Sequence, residues 1–170
     1  MIIEAAKTDQ AEEIFSIYTQ CKAYMEEQKI FQWFDGYPTI DIVEDDIKNG
    51  WIYCMNDNGK CIGVVSVNDV EDEEYSEVNW KDYDGDRNNS VMVVHRLAVL
   101  PEYQKKGIAS LLMDFAEDLI EERNCSSIRL DTYSANERAI NFYEKRGYEK
   151  RGEVFFTGRT LPFICYEKVL

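Results

Sequence analysis

The sequence predicts an α/β fold (mixed, α+β in character): one strongly twisted mixed sheet of about six to seven strands with helices on both faces. It predicts this as a single domain over residues 1–170. Three observations carry the prediction. Short apolar runs bounded by Gly, Asn, Asp and Pro alternate with stretches whose apolar residues recur three and four apart, the marks of strands and amphipathic helices. The apolar run Val91–Val99 (VMVVHRLAV) leads through a glycine-bearing turn to Ile108, Leu111, Leu112, Phe115 and Leu119, which share one helix face. The 170 residues, 45% hydrophobic and 31% charged, can bury one core, and no repeat or linker divides them.

In chain order, Ile2–Ala5 reads as a first strand. Thr8 or Asp9 can cap a helix with an apolar face of Ala11, Ile14, Phe15, Tyr18 and Cys21, continuing to about Lys29. An aromatic loop, Phe31 to Pro38, precedes a short helix from about Ile40 to Lys48. Trp51–Met55 and Cys61–Val67 form a hairpin across Asn56-Asp57-Asn58-Gly59, residues that accept positive φ. After an acidic segment come the strand at 91–99, a long helix over about 105–123 and a strand at Ile128–Tyr133. A helix over Ala135–Arg146 stops at Gly147, and the tail offers strands near Glu153–Phe156 and Ile164–Val169. The passages 91–133 and 128–156 would set ligand groups at the carboxyl ends of neighbouring strands.

Composition narrows the function. A net charge of −14 argues against nucleic acid, whose phosphates such a surface repels. The N-terminus lacks a basic segment followed by an apolar run, and no stretch has the length of a membrane span, so a cytoplasmic location is expected. The cysteines (Cys21, Cys54, Cys61, Cys125, Cys165) are odd in number and scattered, which disfavours a disulfide framework or a zinc site and suggests buried thiols. No metal is implied. Nine acids within residues 68–90 (Asp69, Glu71, Asp72, Glu73, Glu74, Glu77, Asp82, Asp84, Asp86) face only Lys81 and Arg87, and carry half of the net charge. They could attract a cationic amine or simply keep a loop solvated. Lys105 and Lys106 stand together in the turn before the long helix.

That turn, Gln104-Lys105-Lys106-Gly107-Ile108-Ala109, directs backbone N–H groups at one spot, and the positive end of the helix dipole suits a phosphate. Gly107 permits close approach and Ala109 keeps the first turn free of bulk. A packing role for the glycine is the alternative, and the segment is neither a Walker loop nor a dinucleotide fingerprint.

A second element follows: Asn136-x-x-Ala139-x-x-x-Tyr143-x-x-x-Gly147-Tyr148. With Gln104-x-x-Gly107-x-Ala109 after a strand ending Leu97-Ala98-Val99, in this order and at this separation, the chain resembles the GNAT superfamily of acetyl-coenzyme A-dependent N-acetyltransferases. The motifs cover residues 91–148, and the flanking pattern fits the rest of the chain. The resemblance implies acetyl-CoA as cosubstrate, a GNAT-like domain with a splay between the strands at 91–99 and 128–133, and the possibility of a homodimer. It implies that backbone amides of Lys105, Lys106, Gly107, Ile108, Ala109 and Ser110, with Gln104, hold the pyrophosphate. Backbone of Leu97, Ala98 and Val99 would take the pantetheine arm as an added strand, with Asn136 and Ala139 on the opening turn of the later helix.

Acetyl transfer to a primary amine by direct attack needs a polarised carbonyl, a proton for the leaving sulfur and a base. A strand-end amide at 97–99 can polarise the carbonyl. Tyr143 matches the family's tyrosine near the acyl sulfur and could protonate it; it could instead pack beside Ala139 and Ile140. Asn136 can cap its helix, bond the pantetheine arm, or both. Many relatives carry a basic glutamate on the strand before the phosphate loop, and VMVVHRLAV has no carboxylate. His95, the only histidine, shares a face with Val93 and Leu97 by alternation and is either the base or a packed core residue. Glu77 is a second candidate base. Arg96 alternates to the other face and should pair with an acid. Trp33 and Tyr37 of the aromatic loop, with Trp80, could wall the acceptor pocket or plug a loop. The alternatives to an enzyme are a non-catalytic acyl-CoA-binding module and an acidic protein that captures a basic partner. The acceptor class expected is a small-molecule or peptide amine; membrane and nucleic acid are not expected partners.

Overall fold

A computed structural model describes residues 1–34, 36–81 and 90–170. Asp35 and, from the acidic segment, Asp82, Asp84, Asp86 and Arg87 lie outside the described residues. The strands are β1 (Ile2–Ala5), β2 (Ile52–Asp57), β3 (Lys60–Asn68), β4 (Val91–Val99), β5 (Ser127–Tyr133), β6 (Glu149–Val154) and β7 (Phe163–Val169). The α-helices are α1 (Ala11–Glu27), α2 (Ile40–Lys48), α3 (Ile108–Glu122) and α4 (Glu137–Lys145). The strands form one seven-stranded mixed sheet in the order β1-β2-β3-β4-β5-β7-β6, as the alternating pattern predicts. By contacts the chain gathers into two compact units, Met1–Val67 with Val94–Asp118, and Asn68–Val93 with Leu119–Leu170.

In the first unit β1 and β3 pair antiparallel with β2. The β2–β3 hairpin closes on Asn58 (φ 50°) and Gly59 (φ 82°), both left-handed as a tight two-residue hairpin demands. Its core joins Ile14, Ile17 and Tyr18 of α1, Val43 and Ile47 of α2, Ile52, Cys54 and Val64 of the hairpin, and Ala98 and Leu100. Thr39 caps α2 by accepting from the Ile42 amide at 3.3 Å. The start of α1 is a short helical turn, Thr8–Gln10, closed when the Lys7 amide donates to Gln10 Oε1 at 2.9 Å, so neither Thr8 nor Asp9 is the cap.

In the second unit β4 pairs in parallel with β5 over Val91–Val93, against Ser127–Arg129. β7 runs antiparallel to β5 along its whole length and to β6 on its other side. This corrects the expectation that the strands at either end of the 128–156 passage are neighbours: the C-terminal strand inserts between them. β6 also begins earlier than expected, at Glu149, two residues after Gly147 (φ 85°), which ends α4.

Two further corrections concern faces. On α3 the buried residues are Ile108, Leu112, Met113, Ala116 and Ile120, whereas Leu111 is 46% exposed, so the true stripe is rotated from the one expected. On β4 strict alternation fails. Met92, Val93 and Val94 are all buried, and Arg96 adopts φ 47°, a left-handed residue inside a strand. Such an irregularity breaks the two-residue period, so side-chain direction past Val94 does not follow from counting.

Candidate functional site

The phosphate-type loop belongs to the first unit. After Val99 the chain makes a short turn at Pro101–Tyr103, then Lys105 (φ 60°) and Gly107 (φ 82°) bend the backbone left-handed before α3 begins at Ile108, later than the expected start near 105. Lys105, Lys106 and Gly107 are exposed, and nothing stands within 4 Å of the place a Gly107 side chain would occupy. The opening amides of α3 have no intrahelical partner, as at any helix start. The loop is tied to its strand by Gln104, whose side-chain amide donates to the Val99 carbonyl at 3.0 Å. The same carbonyl lies 3.1 Å from the buried Cys21 thiol, so it is already engaged. Lys106 lies 4.9 Å from the Tyr103 ring centre. Gly63 on β3 allows close packing here: a Cβ there would stand 3.0 Å from Leu112, 3.2 Å from the Ala98 carbonyl and 3.2 Å from Ile108.

Arg96 finds an acid, as expected. Its guanidinium bonds Asp46 at 2.6 Å and donates to the Tyr37 hydroxyl at 3.2 Å and to Ser66 Oγ at 3.4 Å. Asp46 is 4% exposed, so the pair is a buried one. Tyr37 stacks on Phe34, with ring centres 5.3 Å apart. Trp33 is buried and meets Tyr18 edge-on at 5.5 Å, which makes it part of the core beneath the loop. Among the described residues the Tyr18 hydroxyl is buried without a hydrogen-bond partner, as is Arg96 Nε. His95 is half-buried on β4.

Tyr143, Trp80 and Glu77 belong to the second unit. Asn136 is buried and caps α4, accepting from the Ala139 amide at 3.2 Å. Tyr143 is 8% exposed within an aromatic group: Phe142 at 5.3 Å, Tyr148 at 5.8 Å and Tyr166 at 6.4 Å. Burial chiefly, then the Asp131 carboxylate, pushes its phenol well above the usual value, against a smaller opposing pull from Arg146. The group therefore stays protonated at neutral pH. Trp80 donates its indole N–H to the Tyr75 carbonyl at 2.9 Å and lies 4.3 Å from the Arg129 guanidinium. Glu77 is exposed at the end of a short helical turn, Glu73–Glu77.

Sequence reasoning missed Asp131. Its Oδ2 accepts from the Tyr75 hydroxyl at 2.7 Å, and across the sheet it pairs with Cys165. Burial chiefly, with the like charges of Asp72 and Glu74, raises its carboxyl to about 7 against the downward pull of the Tyr75 bond. A single carboxylate in the apolar strand Ile128–Tyr133 was the available signal. Cys165 is buried, and burial with the Asp131 charge drives its thiol up, so it is no activated nucleophile. All five cysteines are buried, and none forms a disulfide. Among the described residues no helix is long and apolar enough to cross a membrane, and no group of metal-ligating side chains gathers.

The model of the Acetyltransferase (GNAT) family matches residues 9–148. The chain is 34% identical over 79 residues to Acetyltransferase SG1711 of Sodalis glossinidius, covering 46% of this chain and 53% of that protein. It is 26% identical over 129 residues to Streptothricin acetyltransferase A of Bacillus subtilis, covering 74% of this chain and 64% of that one. The chain thus spans between about half and two thirds of the length of these curated relatives. Among solved structures, a GNAT-family acetyltransferase from Streptococcus agalactiae superposes with a TM-score of 0.81 at 24% identity, covering 99% of this chain and 95% of that one. The loop that opens α3, the Asn136-capped helix bearing Tyr143 and a family match over most of the sequence converge on one statement: this chain belongs to the GNAT acetyltransferase family.

Proposed function

We propose that the protein is an acetyl-CoA-dependent N-acetyltransferase acting on a small, cationic primary amine. The observation that carries this reading is the strand–loop–helix from Val91 to Glu122. There Lys105 and Gly107 take left-handed conformations immediately before α3, whose opening amides, as at any helix start, lack intrahelical acceptors. Those amides, the helix dipole and the two lysines suit a diphosphate. Backbone at Leu97–Val99 takes the peptide-like arm, and an amide there polarises the thioester carbonyl. The left-handed residue at Arg96 supports this, since it interrupts the regular ladder just upstream.

The amine attacks the thioester carbon directly, and Tyr143 gives its proton to the departing sulfur. Its buried, protonated phenol supports the role. Two features support a cationic acceptor: the strongly acidic chain, and a relative named for acetylating streptothricin. The test is thiol release from acetyl-CoA over a panel of streptothricin, spermidine, lysine and an alanine-terminal peptide. We expect turnover with at least one basic amine, and a loss in kcat on the order of a hundredfold in Tyr143→Phe. No turnover across the panel, or an unimpaired Tyr143→Phe enzyme, would contradict the reading.

A further inference from the structure

We propose that Asp131 is the catalytic base of this acetyltransferase, a role that rests on the function proposed above. Three geometric facts carry it. Asp131 sits on β5 beside groups of the second unit that can pass or hold protons: Tyr75 bonds its Oδ2 at 2.7 Å, and Cys165 is its cross-strand partner. Its other oxygen, Oδ1, accepts no hydrogen bond among the described residues, and the residue is only half-buried, so one oxygen can meet an incoming N–H. Among the described residues no cation neutralises it. Arg129, two residues along β5, is committed to Glu167 at 3.1 Å and to Glu71 at 2.6 Å. Arg151 is committed to Glu167 at 2.9 Å, and Arg146 acts on Tyr143.

The contrast with Glu167 shows what this means. Glu167 is 1% exposed and is held by Arg129, Arg151, the Ser127 hydroxyl and the Lys81 amide, an arrangement that fixes a carboxylate in place. Asp131 has one phenol and two like-charged neighbours. A carboxyl in that setting titrates near neutrality, where a base has useful strength yet is substantially ionised.

The step balances. The nitrogen of a free amine forms the C–N bond, the C–S bond breaks, and the nitrogen's extra proton passes to Asp131 Oδ1. The sulfur takes the Tyr143 proton, and the proton on Asp131 then restores the phenol, so the net transfer is from nitrogen to sulfur. Electrostatics couples the two ends. While Asp131 is charged it holds the Tyr143 phenol up; once protonated it ceases to, and Tyr143 becomes the stronger acid when the thiolate departs.

The experiment has two arms on the full chain. In the first, without substrate, carbon-13 NMR of aspartate-labelled protein should show one carboxyl titrating at about 7, absent from Asp131→Asn. In the second, kcat/KM for acetyl-CoA with the best amine of the panel is followed against pH. We expect an acidic limb, activity falling below neutrality, and a loss of roughly a hundredfold or more in Asp131→Asn. Tyr75→Phe removes the bond that favours the charged form, so its limb and its NMR midpoint should move up by roughly half to one pH unit. An amine's own ionisation would not follow Tyr75. Turnover with a limb unmoved in Tyr75→Phe, turnover undiminished in Asp131→Asn, or no carboxyl titrating above pH 6 would overturn this assignment alone. A wild-type protein silent on every amine would remove the acetyltransferase reading, and this one with it.

Discussion

Asp46 and Asp131 are both carboxylates drawn into the protein, one in each unit, and they have opposite surroundings. Asp46 lies 2.6 Å from the Arg96 guanidinium, with Tyr37 and Ser66 completing a buried polar group. Asp131 has Tyr75 at 2.7 Å and the like charges of Asp72 and Glu74. The partners around each acid, more than its depth, decide its behaviour. A matched cation compensates a buried charge, while a neutral donor and like charges leave the Asp131 carboxyl poised between two protonation states.

The largest effect should follow removal of the cation from the first unit. Arg96→Met strands Asp46 in the interior and should cost about 3–5 kcal/mol of stability at pH 7, read from denaturant midpoints. Adding Asp46→Asn should recover part of that loss. If Arg96→Met is neutral, the ion pair does not set the first unit's stability. Next in size is Asp131→Asn. Because the folded-state carboxyl is raised above the unfolded value of about 3.9, folding resists its ionisation. The wild type's handicap is therefore absent below pH 4, develops as pH rises from 4 to 7, and is complete above it. The variant should match the wild type near pH 4 and exceed it by about 2–4 kcal/mol at pH 8. A variant less stable than the wild type at pH 8 would contradict the environment assigned to Asp131. The smallest effect belongs to Tyr18→Phe, which deletes a buried hydroxyl that has no hydrogen-bond partner among the described residues. It should leave stability unchanged or raise it by up to about 1 kcal/mol. A clear loss would mean that the hydroxyl bonds something in solution.

Much of the fold was legible because local patterns decide it. The bounds of β1, α2 and β4 follow from runs of apolar residues, and the hairpin from Asn58-Gly59. The cap at Asn136 and the stop at Gly147 have their own residue signatures. What was not legible depends on distant partners. Nothing in VMVVHRLAV marks Arg96 as left-handed, because its guanidinium is anchored by Asp46, fifty residues earlier in the chain. The insertion of β7 between β5 and β6 is a pairing preference that no local period encodes. Leu111 matches the α3 period as well as Met113 does, and only the surrounding structure leaves the first exposed and buries the second. Asp131 in IRLDTY looks like the solvent-facing residue of an alternating strand until Tyr75, 56 positions away, is seen against it.

The candidate site residues divide in the same way. Gln104, Gly107, Asn136 and Tyr143 stand in motifs whose spacing makes them candidates. The expected acceptor-wall residues Trp33, Tyr37 and Trp80 each have a structural partner: Trp33 meets Tyr18, Tyr37 bonds Arg96, and Trp80 covers Arg129.

The most direct test of the whole account is calorimetric titration of the full chain with acetyl-CoA and, separately, with S-acetyl-pantetheine, which lacks the diphosphate. The account predicts one-to-one binding of acetyl-CoA with an affinity on the order of micromolar and far weaker binding of the truncated thioester. Equal affinity for the two, or no heat with either, would contradict it.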